Sequence, residues 1–226
     1  MTAGARPDVK ICGVCDPADA AMAVEAGATH VGVIRVPGSP RARPADVATA
    51  ICVAAAGARK VGVYVDAPVA TIQREAEELG LDVIQLHGRE DPDLIRPLKA
   101  RGLEVWKVVK PERAGELIEA AARYAAADML LIEGRSDRGH GGVGARFPWD
   151  EVAAALEQLP PGTRLGVGGG LDPDNVADAV RRLRPSLVDV SSGVEYELCR
   201  KDPDRVNAFI RAARRAGTSV TDADMS

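Results

Sequence analysis

Two glycine-rich turns, Val167-Gly168-Gly169-Gly170-Leu171 and Ser191-Ser192-Gly193, have the composition an oxyanion site needs. Glycine leaves backbone N–H groups unhindered, so the chain can close on a phosphate, and Ser192 adds a hydroxyl. Tight turning alone accounts for either one, but their recurrence after two successive apolar runs favours phosphate binding. Other residue types suit proton transfer. Cys12 can serve as a general base where a cation stabilises its thiolate. Glu133 can donate a proton where a partly dry pocket raises its carboxyl. Asp189 interrupts the apolar run Leu187-Val188-Asp189-Val190, so it must meet a polar partner or a ligand. Arg41 can grip a carboxylate with two prongs. His87 and Lys107 end apolar runs and serve either a ligand or the structure, whereas His30 and His140 carry no assigned role.

These residues need elements to bring them together, and the chain supplies a regular series. Short β-branched runs alternate about eight times with amphipathic stretches, which predicts a single-domain (β/α)8 TIM barrel. The expected strands are 9–13, 30–35, 60–65, 83–87, 105–109, 129–133, 164–167 and 188–191. Asp-Pro pairs at Asp16, Asp91, Asp172 and Asp202 read as helix starts, with Asp as cap and Pro at the first helical position. In such a barrel the active site lies where the strands end, so Cys12, Arg41, His87, Lys107, Glu133, Asp189 and both glycine turns converge on one mouth. The stretch 134–147, GRSDRGHGGVGARF, is too rich in glycine for a helix and reads as a functional loop after the sixth strand. The barrel is expected over 1–217, with 218–226 as a frayed tail.

Composition sets bounds on function. The chain has 226 residues, 46% of them apolar but only 3% aromatic, so its core must be aliphatic. A net charge of -4 without a basic block gives no nucleic-acid footprint, and no apolar run is long enough for a membrane span. A cytoplasmic protein with reduced thiols is the expectation. Cys12 and Cys15 form a CxxC, but no second CxxC or His pair completes a zinc set, and no metal is expected.

Seven segments in order, Lys10-Ile11-Cys12-Gly13, Ser39-Pro40-Arg41, 61–65 (VGVYV), Gln85-Leu86-His87-Gly88, Gly141-Gly142-Val143-Gly144, Gly169-Gly170-Leu171 and 188–194 (VDVSSGV), resemble the motifs of phosphoribosylanthranilate isomerases. The likeness runs from about Val9 to Ala213. It implies an Amadori rearrangement of an aminoaldose phosphate in tryptophan biosynthesis, with no cofactor, on a small phosphoribosyl substrate, by a monomer or homodimer. It implies Cys12 as base, the residue at Glu133 as acid, and Arg41 on the anthranilate carboxylate. His87 and Asp189 then contact substrate, and Gly142, Gly169, Gly170, Ser192 and Gly193 hold the phosphate. The chain departs from the family at Glu133, where Asp is usual, with Asp137 as a reserve acid. It departs also at Arg35, usually apolar or aromatic, at Val143, usually a small hydroxyl residue, and at Cys199, where Gly is frequent. These departures leave two alternatives: a paralogue acting on a related aminoaldose phosphate, and a non-catalytic barrel that binds the phospho-ligand.

Overall fold

The computed structural model describes residues 6–134 and 149–223. Eight parallel strands close into a barrel in sequential order: β1 (Asp8–Ile11), β2 (His30–Ile34), β3 (Arg59–Tyr64), β4 (Val83–Leu86), β5 (Glu104–Val109), β6 (Met129–Glu133), β7 (Leu165–Gly168) and β8 (Leu187–Val190). Each expected strand forms, within about two residues of the expected ends. Helices follow the strands: α1 (Pro17–Glu25), α2 (Ala45–Ala54), α3 (Val69–Leu79), α4 (Ile95–Lys99), α5 (Ala114–Arg123), α6 (Trp149–Leu156), α7 (Val176–Leu183) and α8 (Pro203–Ala223). Asp16 caps α1 through the Ala18 N–H, and Asp202 accepts from the Asp204 and Arg205 N–H groups at the start of α8. Asp91 caps a short 3-10 turn instead, and Asp172 caps a turn that precedes α7. Helix α8 runs to Ala223, through most of the segment expected as a tail, and 224–226 lie outside the described residues.

Strand alternation divides the core in two. Val61, Val83, Trp106, Val108, Met129, Leu131 and Leu187 fill the barrel interior. The opposite faces of the strands pack against the helices in a larger aliphatic layer that includes Ile11, Val31, Ile84, Val105, Ile132 and Val188. His30 belongs to this scaffold. It is buried 5.2 Å from the Trp106 ring, and burial brings its imidazole down to about 4.

One element lies outside the eightfold pattern. After β8 a 3-10 turn over Ser192–Val194 leads into an antiparallel hairpin, β9 (Glu195–Glu197) and β10 (Arg200–Lys201). Cys199 occupies its turn at φ +66, a left-handed backbone that favours glycine and costs another residue about 1 kcal/mol. Among the described residues no helix is long and apolar enough to cross a membrane.

Candidate active site

The C-terminal ends of the strands surround a cavity of about 250 Å³ whose walls include Cys12, Arg41, His87, Glu133, Gly169, Gly170, Asp189, Ser192 and Gly193. The structure therefore brings together nine of the ten residues that the resemblance assigns to the site, and the tenth, Gly142, lies outside the described residues. Asp137 and Val143 lie outside them too.

Cys12 directly follows β1 and lies two residues beyond Lys10, whose ammonium is fully buried. Lys10 Nζ is 2.9 Å from Asp189 Oδ2, and its charge also acts on the Cys12 thiol. Burial pulls the Lys10 ammonium down, but the charges of Asp189 and Cys12 outweigh it and hold the ammonium above its ordinary value. Burial pushes the Cys12 thiol up, and Lys10 works against that rise. Asp189 Oδ1 is buried and has no hydrogen-bond partner, and the same is true of Gln85 Oε1, another cavity residue. Buried acceptors of this kind need a donor, and a ligand hydroxyl is the natural one.

Lys10 is a cavity-side residue that the strand ends alone do not reveal, although the sequence carries a signal for it. A lone Lys in the apolar strand β1 and a lone Asp in the apolar strand β8 become lateral neighbours when the barrel closes, with Lys10 directly opposite Asp189.

Glu133 ends β6 and is bound from two sides, with its Oε2 3.0 Å from both His87 Nε2 and Lys110 Nζ. Burial alone would raise its carboxyl, but the hydrogen bond and charge of His87, then Lys110, bring it down to about 2. This corrects the expectation of a carboxyl raised by a dry pocket: the partners win over desolvation. His87 Nδ1 in turn lies 3.3 Å from Gln85 Nε2. Lys107 corrects a second expectation. Trp106 and Val108 face the barrel interior, so Lys107 between them faces the helices, where it binds Glu90 at 2.8 Å and the Gly88 carbonyl at 2.7 Å. The inward position two residues past Val108 is Lys110, which strand parity would have found.

Arg41 lines the cavity but is not a free guanidinium. Its Nε and Nη2 donate to the two carboxylate oxygens of Glu195 at 2.9 and 2.6 Å, leaving Nη1 outside that pair. Glu195 is fixed by buried Lys201 at 2.9 Å, so the β9–β10 hairpin sets the position of Arg41. The two-pronged grip expected for a ligand carboxylate is thus already taken by Glu195. Arg35 binds Glu75 through Nε at 2.9 Å and the Arg43 carbonyl through Nη1 at 2.7 Å, and it is not part of the cavity wall.

The two glycine turns meet across the cavity. A Cβ on Gly193 would run into the Leu171 carbonyl oxygen, whereas one on Gly170, at φ +75, would meet nothing within 4 Å. Gly193→Ala is therefore expected to raise the KM for a phosphorylated substrate by about a hundredfold, and Gly170→Ala by less than about tenfold. Steady-state kinetics on both variants checks this, and equal effects would contradict it. Cys15 faces away from the cavity toward the Gly13 carbonyl, so the CxxC does not act as a pair. Among the described residues no group of three His, Cys, Asp or Glu side chains is gathered to hold a metal.

The family model for "N-(5'phosphoribosyl)anthranilate (PRA) isomerase" matches residues 9–212. An N-(5'-phosphoribosyl)anthranilate isomerase of Citrifermentans bemidjiense is 41% identical over 208 residues, covering 92% of this chain and 97% of that one. The crystal structure of phosphoribosyl anthranilate isomerase from Thermotoga maritima superposes with a TM-score of 0.84 at 33% identity, covering 92% of this chain and 99% of that one. A phosphoribosyl anthranilate isomerase solved in complex with reduced 1-(o-carboxyphenylamino)-1-deoxyribulose 5-phosphate gives a TM-score of 0.81 at 31% identity, over 92% of this chain and 99% of that one.

Proposed function

The chain belongs to the N-(5'-phosphoribosyl)anthranilate isomerase family, and from that premise we propose that Cys12 and Glu133 carry out its reaction. The protein is an aldose-ketose isomerase of tryptophan biosynthesis, converting N-(5'-phosphoribosyl)anthranilate to 1-(2-carboxyphenylamino)-1-deoxyribulose 5-phosphate. A proton reaches the furanose ring oxygen, the C1–O bond breaks and a Schiff base forms at C1. A base then removes the C2 proton, giving an enolamine that tautomerises to the ketone.

The single observation that supports the assignment is that Cys12 and Glu133 line one cavity from strands on different sides of the ring. Glu133 is ionised before substrate arrives, so it takes up a proton in the complex before delivering one to the ring oxygen, while His87 Nε2, 3.0 Å from its Oε2, orients the carboxyl. Cys12 takes the C2 proton as a thiolate stabilised by the Lys10 ammonium. Asp189 Oδ1 and Gln85 Oε1 accept from ribose hydroxyls. The turns at Gly169-Gly170 and Ser192-Gly193 hold the phosphate with backbone N–H groups and the Ser192 hydroxyl. Arg41 meets the anthranilate carboxylate through Nη1 alone, with Glu195 as its brace. The protein acts in the cytoplasm, as a monomer or homodimer, without a cofactor.

The fluorescence of the anthranilate adduct followed during turnover tests the acid. Glu133→Gln should lose about a hundredfold to ten-thousandfold in kcat, while Glu133→Asp, which restores the carboxyl at the family's usual length, should stay within about tenfold. Turnover by Glu133→Gln at the unsubstituted rate would remove Glu133 from the mechanism. Binding of a reduced product analogue without turnover by the unsubstituted protein would favour the non-catalytic reading. Stability carries a second signature. A carboxyl held at about 2 rather than its ordinary 4.5 stabilises the fold fully above pH 4.5 and loses that contribution as pH falls toward 2. Acid unfolding of Glu133→Gln should therefore show a shallower decline in that window.

A further inference from the structure

Two thiols with no part in the proposed chemistry meet behind the cavity wall. Cys15 Sγ lies 3.4 Å from the Gly13 carbonyl oxygen and 3.7 Å from that of Arg41. Cys199 Sγ, at the tip of the β9–β10 hairpin, donates to the Pro40 carbonyl at 3.3 Å. The sulfurs therefore address adjacent carbonyls of one short backbone segment, and Cys199 is close enough to act on the Cys15 thiol. Cys15 is buried, whereas Cys199 is partly exposed and in the left-handed conformation that favours glycine. Neither sulfur has a metal cluster around it among the described residues, and both thiols are reduced.

We propose that Cys15 and Cys199 form a reversible disulfide that loosens the grip of Arg41 on substrate. The oxidant is a low-molecular-weight disulfide. The Cys199 thiolate attacks one of its sulfurs, forming a mixed disulfide and releasing one small thiol. The Cys15 thiolate then attacks the Cys199 sulfur, closing the protein disulfide and releasing the second small thiol. Two protein thiols are oxidised, one disulfide is reduced, and the two protons lost by the cysteines appear on the released thiols. Burial and the neighbouring Cys199 push the Cys15 thiol up to about 12, and Cys199 is the more exposed of the two, so Cys199 attacks first and closure is the slow step.

Arg41 links this chemistry to the site. In the dithiol state the Pro40 and Arg41 carbonyls accept S–H hydrogen bonds, which a disulfide cannot donate. The same bond ties the hairpin tip to the loop after β1, and that hairpin carries Glu195 and Lys201, which brace the guanidinium. The functional consequence rests on the role proposed above for Arg41; the formation of the disulfide does not.

The probe is oxidised glutathione, with thiol counting and peptide mapping under non-reducing conditions. Free thiols should fall from four to two, the cross-linked peptides should contain Cys15 and Cys199, and dithiothreitol should restore all four. The KM should rise by about fivefold to twentyfold in the oxidised protein and return on reduction. Cys199→Ser should keep the kinetics of the unsubstituted protein before and after treatment, and Cys52→Ser should behave as the unsubstituted protein. A Cys12–Cys15 crosslink, glutathione adducts without a crosslink, or no loss of thiols overturns the proposal, as does equal inactivation of Cys199→Ser. If Arg41→Ala raises KM but the mapped disulfide does not, the switch fails while the role of Arg41 stands. If neither raises KM, the role of Arg41 fails and takes the switch with it.

Discussion

Replacing Cys12 with alanine is expected to lower kcat by about a thousandfold, within the range that loss of a positioned general base produces. The reason lies in what surrounds the sulfur. Lys10 is a permanent cation beside it, and Asp189 Oδ2 is already bound to that cation, so neither neighbour is a ready substitute. Asp189 Oδ1 is a carboxylate oxygen without a hydrogen-bond partner, and it is the origin expected for whatever residual turnover remains. KM should change little, because phosphate and carboxylate recognition use other residues. The pH profile gives an independent check. Burial pushes the Cys12 thiol up, so kcat/KM in the unsubstituted enzyme should climb on the alkaline side of neutrality as the thiolate forms. Cys12→Ala should lose that limb. Activity within tenfold of the unsubstituted enzyme, with the limb intact, would assign the base to another group.

Lys10→Met should destabilise the fold by about 3–5 kcal/mol, the usual result of breaking a buried ion pair by removing one partner. The Lys10 side chain is 0% exposed and that of Asp189 7%, so water does little to take over the lost contact. A loss of this size is a large part of the roughly 5–15 kcal/mol by which domains are stable. The cost is that of an uncompensated carboxylate, which the double variant isolates. Lys10→Met/Asp189→Leu should recover most of the stability, since an apolar pair of similar volume commonly replaces a buried ion pair without loss. It should not recover turnover, because the Cys12 thiolate would still lack its cation. Denaturant unfolding of the two variants decides the matter. A single substitution costing under about 1 kcal/mol would mean that water or another group reaches Asp189.

The two expectations diverge because the Lys10–Asp189 pair has two separable effects. As a structural feature it is replaceable by an apolar pair that fills the same space. As an electrostatic feature it is not, since a thiolate in a buried site needs a fixed positive charge within hydrogen-bond reach. The same contrast appears at Glu133, where a mere filler would serve the barrel but only a carboxyl can hand a proton to substrate.

Much of this was present in the chain as written. Alternating apolar runs and Asp-Pro starts determined the eight strands, their order and the helices between them, because period and punctuation are local properties of a polypeptide. The residue types at the strand ends determined which groups could do chemistry. Closure of the barrel decided their partners. It set Lys10 against Asp189 across a separation of 179 residues and placed Glu133 between His87 and Lys110, reversing the expected direction of its shift. It turned Lys107 to the helix side and engaged Arg41 with a hairpin that has no periodic signal of its own. Proton affinity depends on the charges and solvent around a group. Those are fixed by neighbours in space, which local sequence does not specify.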